Sequence, residues 1–471
     1  MKRNHHRMPL FEKLKQFTAG QPLSFHVPGH KNGTLFPKGA YPYFEQILQL
    51  DVTELPGLDD LHTPTASIAE AEYLASDFFG SDHTFFLVGG STAGNLAMIL
   101  AVCSAGDKII VQRNSHKSII NGLELSGAKP VFVAPEYDEE LDRYTNPSLS
   151  ALSEALRKHP DAKAVVLTYP DYFGKTYPIQ EMIDLAHAFD IPVLVDEAHG
   201  VHFSLGDPFP VSALQLGADV VVQSAHKMAP AMTMASFLHV KSTVIQKERI
   251  AHFLQIIQSS SPSYPLMASL DISRSFLATL HAEQVTAILQ SVGNVRNALQ
   301  YAYYGKVLST DDPLKITFHV EQGISAKAVA GLFEERKIYP ELITHNQLLF
   351  IHGLAPFEQV EVLKKTIKSV GEQLKYSRNH ATIEVAKLFS KPIQELALSY
   401  QEMSKLPYKR VSFTEGIGHI AAEAVTPYPP GIPFILKGET ITAAHVETIE
   451  QLRKQGIGIQ QREQGIRIFS I

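Results

Sequence analysis

The stretch Ile191-Pro192-Val193-Leu194-Val195-Asp196-Glu197-Ala198-His199-Gly200 is an apolar run that ends in an acidic residue and a turn. Apolar and β-branched residues in a run of this length predict a buried strand. Similar runs recur from about residue 67 onward and alternate with helical periodicity, which is typical of a parallel sheet covered by helices. The sequence therefore predicts a doubly wound α/β domain with functional residues at the carboxyl ends of its strands. The predicted strands are 84–88, 108–112, 129–133, 164–168, 191–195, 220–223 and 235–239.

The segments on either side of this pattern predict further domains. Residues 1–65 are rich in Pro and Gly and lack the alternation, so we expect an arm packed on the large domain at 66–300. Two strand-like runs, at 314–320 and 347–354, predict a small α/β domain at 301–378, followed by a C-terminal domain at 379–471.

Composition narrows the class of protein. The chain has 471 residues, 45% of them hydrophobic, and a formal net charge of −6, which favours a globular protein and argues against nucleic acid as a partner. Cys103 is the only cysteine, so an intrachain disulfide is excluded and no structural metal site is expected. Neither a cleavable leader nor a membrane span is indicated, and we expect a soluble cytoplasmic protein.

Two strand ends carry candidate catalytic groups. Lys227, in Ser224-Ala225-His226-Lys227, follows the strand at 220–223, where burial would lower its pKa and free the amine to act as a Schiff-base nucleophile. Asp196, at the end of its own strand, could pair with a protonated pyridine nitrogen. The alternatives are an ordinary lysine and an acid that caps a helix or ends a strand.

Two further strand ends carry candidate cofactor contacts. The turn Gly89-Gly90-Ser91-Thr92-Ala93-Gly94-Asn95 precedes an apolar helix and offers N–H groups and hydroxyls to a phosphate. It matches neither the dinucleotide nor the Walker pattern, so a monophosphate is favoured. His116 follows the strand at 108–112 and could stack on a planar cofactor, although a structural or surface histidine is the alternative. The four strand ends together predict one pyridoxal-5′-phosphate (PLP) site.

With these residues the chain resembles the bacterial-type ornithine, lysine and arginine decarboxylases, a family of fold-type I, aspartate-aminotransferase-like PLP enzymes. The resemblance covers most of the chain, and two of its segments, around Gly57 and Tyr428, are distinctive of this group. The motifs are His26-Val27-Pro28-Gly29-His30-Lys31, Gly57-Leu58-Asp59-Asp60-Leu61, Gly90-Ser91-Thr92, Ser115-His116-Lys117-Ser118, Ser224-Ala225-His226-Lys227, Ser261-Pro262-Ser263-Tyr264 and Tyr428-Pro429-Pro430-Gly431-Ile432-Pro433.

The resemblance implies a role for each matching residue. Lys227 would hold PLP as a Schiff base, Asp196 would pair with the pyridine nitrogen, and His116 would stack on the ring. The residues implied to contact the phosphate are Gly90, Ser91, Thr92, Ser224 and His226, with Ser260 from a second subunit. His199 lies in the cofactor turn and Ala198 would pack under the ring, while His226 or Lys227 would donate the proton that completes the reaction.

The resemblance also implies an obligate dimer with shared active sites. Long members of the family carry an N-terminal wing domain and form large rings, whereas here the first motif begins at His26. A homodimer, or a tetramer of two dimers, is therefore predicted rather than a decamer.

The predicted reaction is the PLP-dependent decarboxylation of a basic amino acid, with arginine, giving agmatine and CO2, preferred over lysine and ornithine. The product would be a polyamine precursor. Glu423 is a candidate for the substrate's distal cation, with a surface acid as the alternative, and His30 and Lys31 are further candidates. The alternative functions are another fold-type I reaction (aldolase, lyase or aminotransferase) and a non-catalytic regulatory protein on the same fold.

Overall fold

The computed structural model describes residues 3–374, 389, 391–427, 432–454, 459–460 and 465–470. Most of the Tyr-Pro-Pro-Gly motif, at 428–431, and the boundary predicted near residue 378 lie outside these residues. The helices are α1 (Pro9–Ala19), α2 (Tyr41–Leu50), α3 (Ser67–Phe79), α4 (Gly90–Val102), α5 (Lys117–Ser126), α6 (Leu149–Lys158), α7 (Ile179–His187), α8 (Ala225–Met228), α9 (Lys247–Ile257), α10 (Tyr264–Ala278), α11 (Ala282–Gln300), α12 (Ala326–Glu334), α13 (Val360–Leu374), α14 (Tyr400–Met403) and α15 (Ala443–Lys454).

The strands account for most of the buried apolar runs in the sequence. They are β1 (His83–Leu87), β2 (Lys108–Gln112), β3 (Lys129–Val133), β4 (Pro135–Asp138), β5 (Arg143–Pro147), β6 (Val165–Thr168), β7 (Val193–Asp196), β8 (Val220–Gln223), β9 (Ser236–Val240), β10 (Gly305–Val307), β11 (Lys315–Val320), β12 (Leu342–Ile343), β13 (Gln347–Ile351), β14 (Ile393–Glu395), β15 (Tyr408–Val411), β16 (Thr426–Pro427), β17 (Ile459–Gln460) and β18 (Ile466–Phe469).

The chain folds as two compact units. Unit one comprises Met1–Val102 and Ala186–His281, and unit two comprises Cys103–Leu185 and Ala282–Ile471. The domain boundaries predicted at residues 65, 300 and 378 follow the order of the chain and stay predictions.

Unit one contains four strands in the order β1, β9, β8 and β7. The pair β7–β8 is parallel, whereas β9 runs antiparallel to both of its neighbours. Helix α4 packs on β1 and β8, and a Cβ at Gly94 would lie 2.7 Å from Leu87 Cδ1 and 2.9 Å from Val222 Cγ1. Glycine at this position therefore allows the helix to approach the strands closely enough to bring its N-terminus to their ends.

The predicted arm contains α1 and α2, and two buried charges attach α1 to α10 within unit one. Asp271 accepts a hydrogen bond from Leu10 N at 3.0 Å and pairs with Arg274 at 2.7 Å. Arg274 also donates to the carbonyl oxygens of His5 (2.8 Å) and Arg7 (2.6 Å). The N-terminal segment is thus fixed by hydrogen bonds between its backbone groups and the buried charges of α10.

Unit two contains four strands in the order β6, β2, β3 and β14, with β2 parallel to β6 and β3. A separate antiparallel sheet, β10-β11-β13-β12, contains the two strands predicted after residue 300. A cluster of buried apolar side chains, including Phe413, Ile435 and Ile468, lies in the C-terminal segment. Parallel strands that alternate with helices confirm the predicted α/β class.

None of the helices in the described part of the chain is long and apolar enough to cross a lipid bilayer.

Candidate active site

The carboxylate of Asp196 lies at the carboxyl end of β7, where it is only 3% exposed. Its Oδ2 accepts a hydrogen bond from Asn95 Nδ2 on α4 at 2.9 Å. Its Oδ1 is buried and has no hydrogen-bond partner among the described residues. Because a buried polar oxygen without a donor is costly, this atom is suited to a donor from a bound molecule. The protonated nitrogen of a pyridine ring is such a donor.

The neighbouring carboxylate, Glu197, is fully satisfied. Its Oε1 accepts from Ala213 N at 2.7 Å, and its Oε2 accepts from Ser212 Oγ at 2.8 Å and from the Gln223 amide. Burial raises the pKa of the Glu197 carboxyl to about 7. These bonds fix the turn that carries Ala198 and His199, and so they also fix the direction of Asp196.

Lys227 lies on the short helix α8, which begins directly after Ser224 at the end of β8. Its Nζ is 3.2 Å from His199 Nε2. An imidazole nitrogen at this distance can accept a hydrogen bond from the ammonium group and can receive its proton. The His226 ring is oriented by a different contact, since its Nδ1 lies 3.0 Å from the carbonyl oxygen of Ala235.

Three hydroxyl groups meet at the N-terminus of α4. Ser91 Oγ lies 2.7 Å from Ser224 Oγ and 3.3 Å from Ser236 Oγ. Gly90, with a φ of +70°, starts the helix in a conformation that favours glycine, and Thr92 next to it is exposed. The first N–H groups of a helix and a cluster of hydroxyls form a site that suits a monophosphate.

The side chains and the helix N-terminus described above, all in unit one, fit PLP. The open oxygen of Asp196 matches the pyridine nitrogen, the Lys227 amine matches the aldehyde, and the turn that begins at Gly90 matches the phosphate. The structure thus brings Asp196, His199, Ser224 and Lys227 onto adjacent strand ends.

His116 belongs to unit two, where it precedes α5 as the N-cap residue. Its Nδ1 accepts a hydrogen bond from Ser118 N at 3.2 Å and lies 2.9 Å from Ser118 Oγ. These contacts orient the imidazole ring, and its stacking on the cofactor stays a prediction.

The candidate substrate residues in the arm make bonds within the chain. His30 Nε2 lies 3.1 Å from Asp51 Oδ2, and Lys31 Nζ donates to the carbonyl oxygen of His26 at 2.6 Å. Both side chains therefore help to hold the arm in its conformation.

Glu423, the candidate for binding the substrate's distal cation, also has partners in the chain. Its carboxylate lies 3.2 Å from Arg410 Nη1 and 3.7 Å from Arg467 Nε, and it accepts from Arg467 N at 2.9 Å. A cationic substrate would have to compete with both arginines for this carboxylate.

Sequence reasoning missed Asn95 and Ser236. Each is a buried polar residue in a largely apolar element, and that contrast was the available signal. Asn95 bonds Asp196 and Ser236 bonds Ser91, and in both pairs the two residues are far apart in the sequence. A polar residue in an apolar element therefore does not reveal which residue it bonds.

Two family models match the chain. The first, "Orn/Lys/Arg decarboxylase, major domain", covers residues 8–319, and the second, "Orn/Lys/Arg decarboxylase, C-terminal domain", covers residues 380–462.

Curated relatives agree with these matches. An uncharacterised Bacillus subtilis protein, YaaO, is 44% identical over 452 residues, which is 94% of each chain. The arginine decarboxylase of Bacillus subtilis is 35% identical over 478 residues, which is 98% of this chain and 96% of that one.

Solved structures confirm the fold. The constitutive lysine decarboxylase of Escherichia coli superimposes with a TM-score of 0.81 at 19% identity, covering 99% of this chain and 82% of that one. The serine palmitoyltransferase of Sphingomonas wittichii gives a TM-score of 0.56 at 20% identity, covering 75% of this chain and 86% of that one. The family models and the relatives together show that this chain belongs to the Orn/Lys/Arg decarboxylase family of PLP-dependent enzymes, as its motifs predict.

Proposed function

We propose that this enzyme converts L-arginine to agmatine and CO2. The observation that carries the proposal has two parts. Asp196 has a buried carboxylate oxygen without a hydrogen-bond donor, and on the adjacent strand end Lys227 contacts His199. Arginine is preferred because four relatives named arginine decarboxylase are 34–36% identical over 92–98% of this chain, whereas the lysine decarboxylase of Pseudomonas aeruginosa is 26% and the biodegradative arginine decarboxylase of Escherichia coli 23% identical.

PLP supplies an electron-withdrawing ring that accepts the electron pair left on the substrate's α-carbon when CO2 departs. Asp196 would keep the pyridine nitrogen protonated, and its direction is fixed by the bond from Asn95. The Asp196 charge in a buried site is worth more than the same charge in water.

Lys227 would hold the aldehyde of the cofactor through its amine. The His199 imidazole, 3.2 Å away, is placed to take a proton from the Lys227 ammonium and return it. Lys227 or His226 would then deliver a proton to the α-carbon. This requirement ties the reaction rate to the protonation state of the pair.

The phosphate would lie at the N-terminus of α4. Ser91 and Ser224 would donate their hydroxyl protons to it, and Thr92 and His226 would complete the shell beside the open backbone at Gly90. Ser236 is a further donor at 3.3 Å from Ser91. His116 would stack on the ring and Ala198 would pack under it.

The substrate's guanidinium group needs an acceptor. Glu423, His30 and Lys31 remain the sequence-based candidates, but their bonds within the chain weaken the case for each of them. A homodimer in which Ser260 of one subunit contacts the phosphate bound to the other would supply additional groups. Agmatine made in the cytoplasm would serve as a precursor of polyamines such as spermidine.

The test is to incubate the PLP-loaded protein separately with arginine, lysine and ornithine and to follow the release of CO2 and amine. We expect arginine to react fastest and Lys227→Ala to abolish release. Lys158→Ala, which changes an exposed lysine paired with Glu154, is the matched control and should retain activity. If only lysine or ornithine reacted, that amino acid would be the substrate in place of arginine. Transamination without CO2 release would show that the reaction is not a decarboxylation.

A further inference from the structure

The Gly57–Leu61 motif has a structural task that the active site does not explain. Asp59 adopts a φ of +73°, and its carboxylate accepts hydrogen bonds from backbone N–H groups at the start of α3 at 2.8–3.3 Å. It therefore caps a helix whose own N-cap residue, Ala66, has no side chain capable of capping. The N–H groups are those of Thr65, Ala66, Ile68 and Ala69.

Asp60 organises the turn that follows. Its Oδ1 accepts from His62 N at 2.8 Å, which places the His62 side chain. His62 Nε2 lies 2.9 Å from the carbonyl oxygen of Ser259. Because a carbonyl oxygen only accepts, His62 must be the donor in this contact. The motif thus reaches the segment Ser259–Ser261, which contains Ser260.

A second anchor fixes the residue just before that segment. Gln258 Oε1 accepts from Val88 N at 2.7 Å, and its amide donates to the carbonyl oxygen of Phe86 at 3.5 Å. Phe86 lies in β1, the terminal strand of its sheet order, and Val88 follows β1 and immediately precedes the phosphate turn that begins at Gly89. The segment is therefore tied to the strand that leads into the phosphate turn of its own subunit.

A third anchor follows the segment. The hydroxyl of Tyr264, a buried residue at the start of α10, donates to the carbonyl oxygen of Asp59 at 2.6 Å. Ser259, Ser260 and Ser261 are exposed. Ser259 Oγ makes local contacts, since it accepts from Ser261 N at 3.2 Å and lies 3.2 Å from Ser261 Oγ. The exposed loop is therefore short. Gln258 and Tyr264 fix its two ends, and His62 bonds it at Ser259.

We propose that His62 is a positioning residue that holds the Ser259–Ser261 segment in the conformation in which Ser260 binds the phosphate of PLP in a second copy of the chain. The proposal rests on the proposed function, in which Ser260 is that contact. His62 acts through the Ser259 carbonyl and does not touch the cofactor. Fixing a loop before binding removes the entropy loss that ordering it would otherwise require.

The test measures the dissociation constant of PLP for the apoprotein by its visible absorbance, without substrate. We expect His62→Leu to weaken PLP binding by about tenfold and His62→Gln, which keeps an N–H donor, to stay within about twofold of the wild type. Ser260→Ala should also weaken binding. In the double variant His62→Leu/Ser260→Ala the loss should not exceed that of Ser260→Ala by more than about twofold, because His62 acts through Ser260. His252→Leu, an exposed histidine of α9, is the matched control.

Unchanged PLP binding in His62→Leu, or losses that add in the double variant, would overturn the role of His62. Failure of His62→Gln to restore binding would overturn it as well. These outcomes are separate from the proposed function, since decarboxylation of arginine by the wild type is measured independently of the PLP dissociation constant.

Discussion

Each unit contains a buried carboxylate: Asp196 at the carboxyl end of β7 in unit one, and Glu439, paired with Arg113, in unit two. The two carboxylates differ in how many of their oxygens accept hydrogen bonds. Asp196 uses one carboxylate oxygen and leaves the other without a partner among the described residues. Glu439 uses both, since Oε2 accepts from Arg113 Nη2 at 2.7 Å and from Leu436 N at 2.8 Å, and Oε1 accepts from the Gln394 amide at 3.1 Å. Burial raises the pKa of Glu439, but the Arg113 guanidinium outweighs it and holds that pKa below its usual value.

The difference separates two uses of buried charge. Arg113 also donates to the carbonyl oxygens of Pro433 and Phe434, so the cluster fastens the chain just after the Tyr-Pro-Pro-Gly motif, although Arg113 Nε has no hydrogen-bond partner among the described residues. A cluster whose charges are all compensated stabilises the fold, whereas a carboxylate with an open oxygen is available to a ligand. Four substitutions test this distinction.

The largest effect is expected at Asp196. Asp196→Asn should lower kcat/KM by about 10³-fold or more, because the charge that stabilises the reacting ring is lost. The free energy of unfolding of the apoprotein should change by less than about 1 kcal/mol, since a buried charge is removed while the amide oxygen of the new side chain can still accept the bond from Asn95. Kinetics and urea unfolding measure the two quantities, with Asp184→Asn on the surface of α7 as control. A loss of stability larger than the loss of activity would break the distinction.

Glu439→Leu should mainly lower the stability of the fold, whereas Asp196→Asn should mainly lower activity. It leaves the Arg113 guanidinium buried without its carboxylate, and we expect the free energy of unfolding to fall by about 3 kcal/mol. Adding Arg113→Met should restore part of that loss, because both charges are then absent. Urea unfolding of the two single variants and the double variant provides the coupling energy, and purely additive losses would contradict the ion-pair explanation.

Glu72 could break the distinction, because its Oε2 is also buried without a hydrogen-bond partner in the described chain and lies 3.9 Å from His83 Nε2, while Oε1 accepts from Phe86 N at 2.9 Å. Burial raises its pKa to about 8, so the folded chain keeps a proton that the unfolded chain releases near pH 4.5. Glu72 therefore lowers stability progressively as the pH rises from about 4.5 to 8. Glu72→Gln should remove this loss and exceed the wild type by on the order of 3 kcal/mol at pH 8, and by little at pH 5. Unfolding curves at both pH values measure it, and an equal difference at both would show that Glu72 does not hold the proton.

The smallest effect is expected at Asn95. Asn95→Ala removes one hydrogen bond to Asp196 without removing the charge, so kcat/KM should fall by about tenfold. Asn95→Ser, which keeps a donor in a shorter side chain, should fall less. An effect as large as that of Asp196→Asn would mean that the orientation of the carboxylate matters as much as its charge.

Many of the strands of the α/β fold were predictable because their signals are local. The β2 strand, Lys108–Gln112, was predicted with the bounds found, since a buried run between turns marks both of its ends. The antiparallel direction of β9 was not predicted, because the apolar pattern of a strand carries no direction. The Asn95–Asp196 bond joins residues 101 positions apart, and an asparagine in an apolar helix does not reveal its partner. Helix α1 was missed for a similar reason, because its anchors, Asp271 and Arg274, lie more than 260 positions away.

The bonds of Gln258 and Glu72 to β1 have a consequence for self-association. β1 is the terminal strand in its sheet order, and the free N–H and C=O groups of such a strand can recruit a strand from another molecule. Here Phe86 N, Phe86 O and Val88 N are already occupied by the two side chains. To pair with the chain at these three groups, an incoming strand would have to displace a buried glutamic acid and a glutamine, so this part of the edge resists the sheet-to-sheet addition from which aggregates grow.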